Sequence, residues 1–386
     1  MAAQQRRRVV LAGSIFSILF MGRIRSRIRN RQYTKKINLP LKQNSGWQAL
    51  IDSNDDMGLI AKTGFDRNCL EHFTGLLKRF NRQHAIANGK DPNAIRRGPR
   101  PALDFRAQVG LTLYFLHSPK VQEDICSYFS VSPGTVSNTI NNTLWALNVM
   151  LDADNNARIS YPDEKEMAEF SAQIKHRHPD VPGAPFGWID GVWFPCGNNG
   201  DPLIQNCYYN RWKAHAPSVT NILCFTPDGC ICYAVLNLPG CTHDSRAAEP
   251  VYEMLDQHTP GDFCLLGDSA FPSRNNKIIT PVKRPRGAPA IPANRLAYHK
   301  AVVSARQAVE WGMRDFQGLF GRLHLPLSCT DFNGNLLFLT VCCRLFNFRA
   351  RMMAEGNEIK AVYHPNYVPD IFRNLNGKRR KYRHLS

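Results

Sequence analysis

The sequence predicts a mixed α/β fold in which an all-α N-terminal part precedes a sheet flanked by helices. Apolar residues recur at helical spacing between residues 46 and 150. Short apolar runs with a hairpin turn then follow, from residue 186 to residue 238. After them comes a strand-like run, Phe263–Asp268, and a long helical segment, Ala297–Phe320. The chain of 386 residues, 43% hydrophobic and 21% charged, is long enough for one large or two ordinary domains.

The charge of the chain is concentrated near its N-terminus. Of the formal net charge of +18, residues 1–100 contribute 20 Lys and Arg against 6 Asp and Glu, which is +14. A localised excess of this size favours a polyanionic partner such as DNA. Another basic cluster, Gly377–Arg383, is typical of a nuclear import signal or a phosphate contact.

Cysteine usage and one apolar segment bear on the compartment. The twelve cysteines are scattered through apolar runs without a Cys-x-x-Cys pair, which predicts buried thiols in a reducing compartment. Val9–Met21 follows three arginines and has the length of a signal-peptide core, but it is too short to span a bilayer. We expect a basic arm whose apolar segment packs on something, with a targeting peptide as the alternative.

The first helical part ends in a pattern typical of a helix-turn-helix. Phe105–His117 and Val121–Phe129 are predicted helices, and a turn around Gly134 leads to a third, Thr135–Met150, capped by Ser132 or Thr135. In a helix-turn-helix, the exposed side chains at the start of the last helix contact DNA. The predicted contacts are Ser137, Asn138 and Asn141, and an ordinary helical bundle is the alternative.

The second half alternates strands and helices. Pro227-Asp-Gly229 predicts a hairpin turn between two apolar strands, because Gly supplies a positive φ. The predicted elements are a polar helix (Lys165–His178), strands Phe186–Pro195, Gln205–Trp212, Val219–Phe225 and Cys230–Leu238, a helix (Arg246–His258), strands Phe263–Asp268 and Ile278–Val282, and helices Ala297–Phe320 and Phe338–Arg351.

Acidic residues occur where these elements are otherwise apolar. Asp190 lies in the middle of a buried strand, Asp268 at the end of another, and Glu310 in an apolar stretch of a helix. A buried carboxylate is costly unless it is paired, and a metal ion is one such partner. Each acid also has a simpler explanation. Asp190 and Asp268 fit turns at strand ends, Asp244 fits a helix N-cap, and Glu310 fits a solvated helix face.

Four segments taken together resemble the ordered motifs of PIF/Harbinger-type DDE transposases and their nuclease-like relatives. They are Trp188-Ile-Asp-Gly191, Asn237-Leu-Pro-Gly-Cys-Thr-His-Asp-Ser245, Leu265-Leu-Gly-Asp-Ser-Ala-Phe-Pro272 and Val309-Glu-Trp-Gly312, and Tyr208-Tyr-Asn-Arg-Trp212 is also similar. The resemblance covers about residues 186–350. Val192 stands where the family commonly has Thr, and Phe271 stands where Tyr is usual, but neither change removes a carboxylate.

The resemblance implies an RNase H-like catalytic domain with a divalent cation, Mg²⁺ or Mn²⁺. Asp190, Asp268 and Glu310 would be the catalytic acids and metal ligands, Asp244 a further metal ligand, and His243 a group that orients a ligand rather than binding metal. Hard oxygen ligands suit these ions, which assist phosphodiester cleavage. Lys283, Arg284 and Arg286, in a loop near the acids, would hold the DNA backbone, with a solvated loop as the alternative.

These inferences predict a nuclear DDE endonuclease or transposase, with the cytoplasm as a further location and no membrane association. The alternative is a domesticated DNA-binding or scaffold protein without turnover. The resemblance also implies a Myb-like DNA-binding partner and a homo-oligomer. The predicted divisions are a basic arm and helical segment (1–98), a helix-turn-helix-like domain (99–155), the RNase H-like domain (180–355) and a basic tail (356–386).

Overall fold

A computed structural model of the chain describes residues 38–88, 102–211, 215–274, 276–283, 291–353 and 356–364. Several predicted features lie outside these residues. They are the basic arm with Val9–Met21, the loop residues Arg284 and Arg286, and the basic cluster Gly377–Arg383.

The N-terminal part is all helical, as predicted. Its first helices are α1 (Gly46–Asp52), α2 (Asp56–Thr63) and α3 (Arg67–Ala87), and a second group comprises α4 (Phe105–His117), α5 (Gln122–Phe129) and α6 (Pro133–Asp152). Polar side chains start these helices. Asp66 accepts the Cys69 N–H, and Asp104 accepts the Ala107 N–H.

The turn between α5 and α6 uses a residue that the sequence analysis did not choose. Ser130 takes the left-handed conformation, with φ at 52°. Gly134 lies inside α6, and Ser132 caps that helix by accepting the Thr135 N–H. The two predicted helices are confirmed, with α6 starting two residues earlier because Pro133 is tolerated in a first turn. Their assignment as a DNA-binding helix-turn-helix remains a prediction.

A mixed six-stranded sheet forms the second half of the fold. Its strands are β1 (Ala184–Pro195), β2 (Tyr209–Asn210), β3 (Ala216–Phe225), β4 (Ile231–Pro239), β5 (Phe263–Leu266) and β6 (Ile278–Ile279). The central strand β1 pairs antiparallel with β3 and parallel with β5, β6 continues beside β5, and β2 and β4 both pair with β3. The predicted mixed sheet flanked by helices is therefore confirmed.

The helices around the sheet largely match the sequence analysis. They are α7 (Glu164–Arg177), α8 (Pro202–Tyr208), α9 (Asp244–Ala247), α10 (Glu249–His258), α11 (Ala293–Leu319), α12 (Phe332–Met352) and α13 (Glu358–Tyr363). A short 3₁₀ helix, Gly321–His324, follows α11. The predicted hairpin turn is present: Gly229 has φ at +77°, and Asp228 accepts the Cys230 N–H.

Two secondary-structure predictions are wrong. In the predicted strand Gln205–Trp212, residues 205–208 belong to helix α8, because Asp201 caps its start and Pro202 sets its first turn. Tyr209–Asn210 forms a strand as predicted, and Trp212 lies outside the described residues. The predicted helix Arg246–His258 is two helices, α9 and α10, with Ala248 between them and Pro250 opening the second.

The two faces of the sheet contribute to different cores. On one face, Trp188, Val192 and Phe194 of β1 join a large core that includes α11, α12 and the N-terminal helices. On the other face, Phe186 and Ile189 pack with residues of α7 and α10 in a smaller core. Because side chains alternate along a strand, Trp188 and Ile189 serve different cores. Phe186 departs from this alternation where the pairing of β1 with β5 shifts register, between Pro185 and Gly187.

All twelve cysteines are free thiols, and nine of them are buried, as predicted; Cys207 and Cys241 are exposed and Cys329 is partly exposed. Within the described ranges, no helix has the length and apolar character that a membrane crossing demands.

Candidate active site

Asp190 lies on the central strand, on the face that α11 covers. It is opposite Leu223 of β3 and has the same orientation along β1 as Trp188 and Val192. Its side chain is only 17% exposed. Oδ1 accepts the Gly191 N–H at 2.8 Å. The Trp188 indole donates to the Ala305 carbonyl at 2.8 Å and thereby fixes β1 against α11 one residue before Arg306.

Glu310 approaches the same point from α11. Arg306 Nη1 lies 3.3 Å from Asp190 Oδ2, and Nη2 lies 2.7 Å from Glu310 Oε1. One guanidinium therefore contacts acids that are 120 positions apart in the sequence. The predicted apolar surroundings of Glu310 are wrong, because its side chain is 59% exposed and lies on the open side of the helix.

Asp268 follows β5, which runs parallel to β1. β5 ends at Leu266, which pairs with Trp188, so Asp268 lies two residues beyond the paired part of the strand. Gly267 is close to β1, since a Cβ there would lie 3.0 Å from the Ile189 side chain. Asp268 also accepts the Ala270 N–H at 2.6 Å, so it serves the strand-end turn that was the simpler alternative.

Asp244 lies against β1 at the neighbouring residue. A Cβ built on Gly191 would be 2.9 Å from the Asp244 Cγ, so the Asp244 carboxyl group fills the space that a side chain at position 191 would need. Because Gly191 and Asp190 belong to opposite faces of the strand, Asp244 approaches β1 from the side away from α11. The alternative role of Asp244 as an N-cap is wrong. His243 is the N-cap of α9, its Nδ1 accepting the Ser245 N–H at 3.4 Å.

A buried tyrosine lies near Asp244 and Asp268. The Tyr252 hydroxyl has no hydrogen-bond partner among the described residues. Burial raises the pKa of this hydroxyl, and the nearby carboxylates, Glu249 first and then Asp244 and Asp268, raise it further, while Arg274 over the ring acts against them. Tyr252 therefore stays protonated and leaves one buried polar atom facing an acidic region.

The acids match the preferences of a divalent cation only in part. Mg²⁺ and Mn²⁺ prefer carboxylate oxygens, and Asp190 and Glu310 already share one positively charged group. This pair fits the donor chemistry. In the part of the chain that the structure describes, however, no three His, Cys, Asp or Glu side chains lie close enough together to hold a metal ion. Asp190 and Glu310 thus meet at Arg306, but the four predicted ligands do not form one cluster.

A cleft of about 700 Å³ begins at these acids. It runs along β1 beyond the part that β5 covers, between the strand and the second half of α11. Trp193, 40% exposed, lines it together with Arg314, Gln317 and His324. Sequence analysis had selected none of these residues, and it had also omitted Arg306. The available signal for Arg306 was its spacing of four residues from Glu310, which is typical of a helical ion pair.

The predicted DNA contacts are distributed over two places. Ser137, Asn138 and Asn141 are exposed on α6, although Ser137 accepts a hydrogen bond from Gln122 at 2.8 Å. Ser137 and Asn141 line a separate cavity of about 290 Å³, together with Lys120 and Arg322. Lys283 is exposed at the last described position before the loop that holds Arg284 and Arg286.

Comparison with known families gives an independent assignment. Residues 189–347 match the model of a family described as DDE superfamily endonuclease. The matched range contains Asp190, Asp244, Asp268 and Glu310. No curated protein and no solved structure gave a significant match. Residues 189–347 are thus similar to a DDE superfamily endonuclease domain, and the mixed sheet with flanking helices is compatible with that class.

Proposed function

We propose that this protein is a PIF/Harbinger-type DDE endonuclease or transposase that cleaves DNA phosphodiester bonds with Mg²⁺ or Mn²⁺. The observation that carries the proposal is the meeting of Asp190 and Glu310 at a single positive charge, inside the matched range. These elements are brought together by the fold rather than by sequence proximity. A buried carboxylate and a distant second one on a shared cation are what a cation-dependent site requires.

Asp190, Asp268 and Glu310 would hold the ion. Asp244 would be a further ligand, but it approaches the opposite face of β1 and would have to shift to reach the same ion. When bound, the metal would activate the attacking oxygen and stabilise the leaving oxygen. The Trp188–Ala305 hydrogen bond keeps the strand and helix that carry two of these acids in register. Gly191 leaves the space in which the Asp244 carboxylate reaches the strand.

The cleft beside the acids would receive the DNA strand to be cut. Trp193 lines the cleft and is exposed, so its indole would offer a surface on which a base can stack, on the face of β1 opposite to Asp190. Ser137, Asn138 and Asn141 on α6 and Lys283, Arg284 and Arg286 would add contacts with DNA. The proposal includes a nuclear location, a Myb-like partner and a homo-oligomer.

The deciding experiment is nicking of a supercoiled plasmid by the full chain with Mg²⁺ or Mn²⁺. Asp190→Asn, Asp268→Asn and Glu310→Gln should each lower the rate by about 10³-fold or more, because ligand residues act as a unit. Glu253→Gln, which changes an exposed acid of α10, is the matched control and should nick at the wild-type rate. Nicking that persists in one variant removes that residue from the site. DNA binding without any metal-dependent nicking would favour a non-catalytic DNA-binding protein.

A further inference from the structure

Arg306 occupies the position between the two acids. Its guanidinium is within 3.3 Å of Asp190 and 2.7 Å of Glu310, and its side chain is only 21% exposed. A guanidinium presents a planar set of donors that can bond two carboxylates at once. Arg306 can therefore satisfy both acids with one group, and it does so from the helix that carries Glu310.

A divalent cation needs the same oxygen atoms. Asp190 Oδ2 and Glu310 Oε1, which contact Arg306, are among the few atoms at this point that could bind a hard metal ion. Two carboxylates without a counter-charge would repel one another, so either cation stabilises the pair. The two cations would also repel each other across the few ångströms between them.

We propose that Arg306 is a positioning residue that holds Asp190 and Glu310 together before metal binds, and that it competes with the metal for them. This inference rests on the proposed function, since it assigns an added role within the same site. When metal binds, it would replace the Arg306 guanidinium at the two carboxylates. The acids would thus be oriented before metal binds, but metal affinity would be lower.

The competition has a direction that a purely structural role does not share. If Arg306 only supported the fold, its loss would weaken metal binding or leave it unchanged. If it competes, its loss strengthens metal binding, because one positive charge near the ligands is removed. Arg306→Lys keeps the charge but contacts one carboxylate less well, so its metal affinity should lie between those of the wild type and Arg306→Gln.

Arg314 is a matched control on the same helix. It lies four residues after Glu310, as Arg306 lies four residues before it, and it lines the same cleft. Its guanidinium, however, pairs with Glu358 of α13 rather than with the acids. Arg314→Gln therefore removes the same charge from α11 without releasing Asp190 and Glu310.

The test measures binding of Mn²⁺ alone to the full chain, from the loss of the electron paramagnetic resonance signal of free Mn²⁺. Arg306→Gln should bind Mn²⁺ about tenfold more tightly than wild type, equivalent to about 1.4 kcal/mol. Arg306→Lys should show a smaller gain, and Arg314→Gln should stay within about twofold of wild type. Asp190→Asn should abolish the gain when it is combined with Arg306→Gln. Circular dichroism establishes that each variant is folded. If Arg306→Gln does not fold, the comparison is made with Arg306→Lys instead.

The outcomes separate the two proposals. If wild type binds Mn²⁺ through Asp190 but both Arg306 variants bind equally or more weakly, competition by Arg306 is overturned and the proposed function stands. If neither wild type nor the Arg306 variants bind Mn²⁺ in an Asp190-dependent way, both are overturned. Tighter binding in Arg306→Gln that requires Asp190 supports both.

Discussion

The two faces of strand β1 differ in the surroundings of their acidic side chains. On the face towards α11, Asp190 is paired with a guanidinium that also holds Glu310. On the face towards α9 and α10, the Asp244 carboxylate lies against Gly191, and the buried Tyr252 hydroxyl has no hydrogen-bond partner in the described ranges. Asp190 is thus paired with Arg306 on one side of β1. On the other side, the buried Tyr252 hydroxyl of α10 has no partner among the described residues.

The difference between the two faces shows how a fold can order acidic side chains before a ligand binds. The α11 side is stabilised by an ion pair and by the hydrogen bond from Trp188, so its geometry is set before any ligand arrives. On the other side, Gly191 leaves the space that the Asp244 carboxyl group fills, and no hydrogen bond among the described residues offsets the desolvation of the buried Tyr252 hydroxyl. Three substitutions test this contrast.

The largest expected effect concerns Asp315, which lies on α11 beyond Glu310. Burial raises the pKa of this carboxyl from 3.8 to about 6; the Glu358 N–H that it accepts lowers the pKa, the Glu358 carboxylate raises it, and Arg314 and Arg349 lower it. The folded protein therefore holds a proton that the unfolded chain releases, and stability falls as pH rises from about 4 to about 6. The loss amounts to as much as about 3 kcal/mol.

Asp315→Asn should remove this loss, since the amide oxygen can still accept the Glu358 N–H. The free energy of unfolding in urea should rise at pH 8 and change little at pH 4. A gain of the same size at both pH values would contradict a titration effect.

Gly191→Ala should have the next largest effect. The added Cβ would come within 2.9 Å of the Asp244 carboxyl group, so the carboxylate or α9 must shift. We expect a loss of about 1–3 kcal/mol, the usual cost of overpacking. Gly200→Ala is the control, since nothing lies within 4 Å of a Cβ at that position. Equal melting temperatures for the two variants would show that Asp244 does not need the space at Gly191.

Tyr252→Phe should have the smallest effect, with the opposite sign. Removing a buried hydroxyl that lacks a partner should stabilise the protein by about 1 kcal/mol, because its desolvation is not compensated. Chemical denaturation at neutral pH measures the change. Tyr161→Phe is a suitable comparison, because the Tyr161 hydroxyl is bonded to Thr259 at 2.7 Å and its loss should destabilise. Destabilisation of Tyr252→Phe would mean that its hydroxyl has a ligand or water as partner.

Sequence patterns predicted the elements that carry the acids because those elements have strong periodicity. The buried strand around Asp190 and the hairpin turn at Gly229 depend on neighbours along the chain, and both are confirmed. Helix α8 was missed because Leu203, Ile204 and Cys207 also suit a strand, and only the Asp201 cap identifies a helix there.

The relations between distant residues could not be predicted in the same way. The contact of Arg306 with Asp190 depends on the packing of α11 across β1, which has no local signature. The exposure of Glu310 likewise depends on which side of α11 faces the sheet, although its sequence neighbours are apolar. Whether Asp244 and Asp268 bind metal remains a prediction, because the described residues form no cluster of three or more metal-binding side chains.

The hydrogen bond between Trp188 and Ala305 has a mechanical consequence. A helix of 27 residues extends for about 40 Å, and this indole fastens it close to its midpoint. Glu310 lies five residues from the fastening, about 7.5 Å along the axis. Any twist or slide of the helix at its free end is therefore strongly reduced where the acid projects, so a chemically inert side chain sets the alignment of a reactive one.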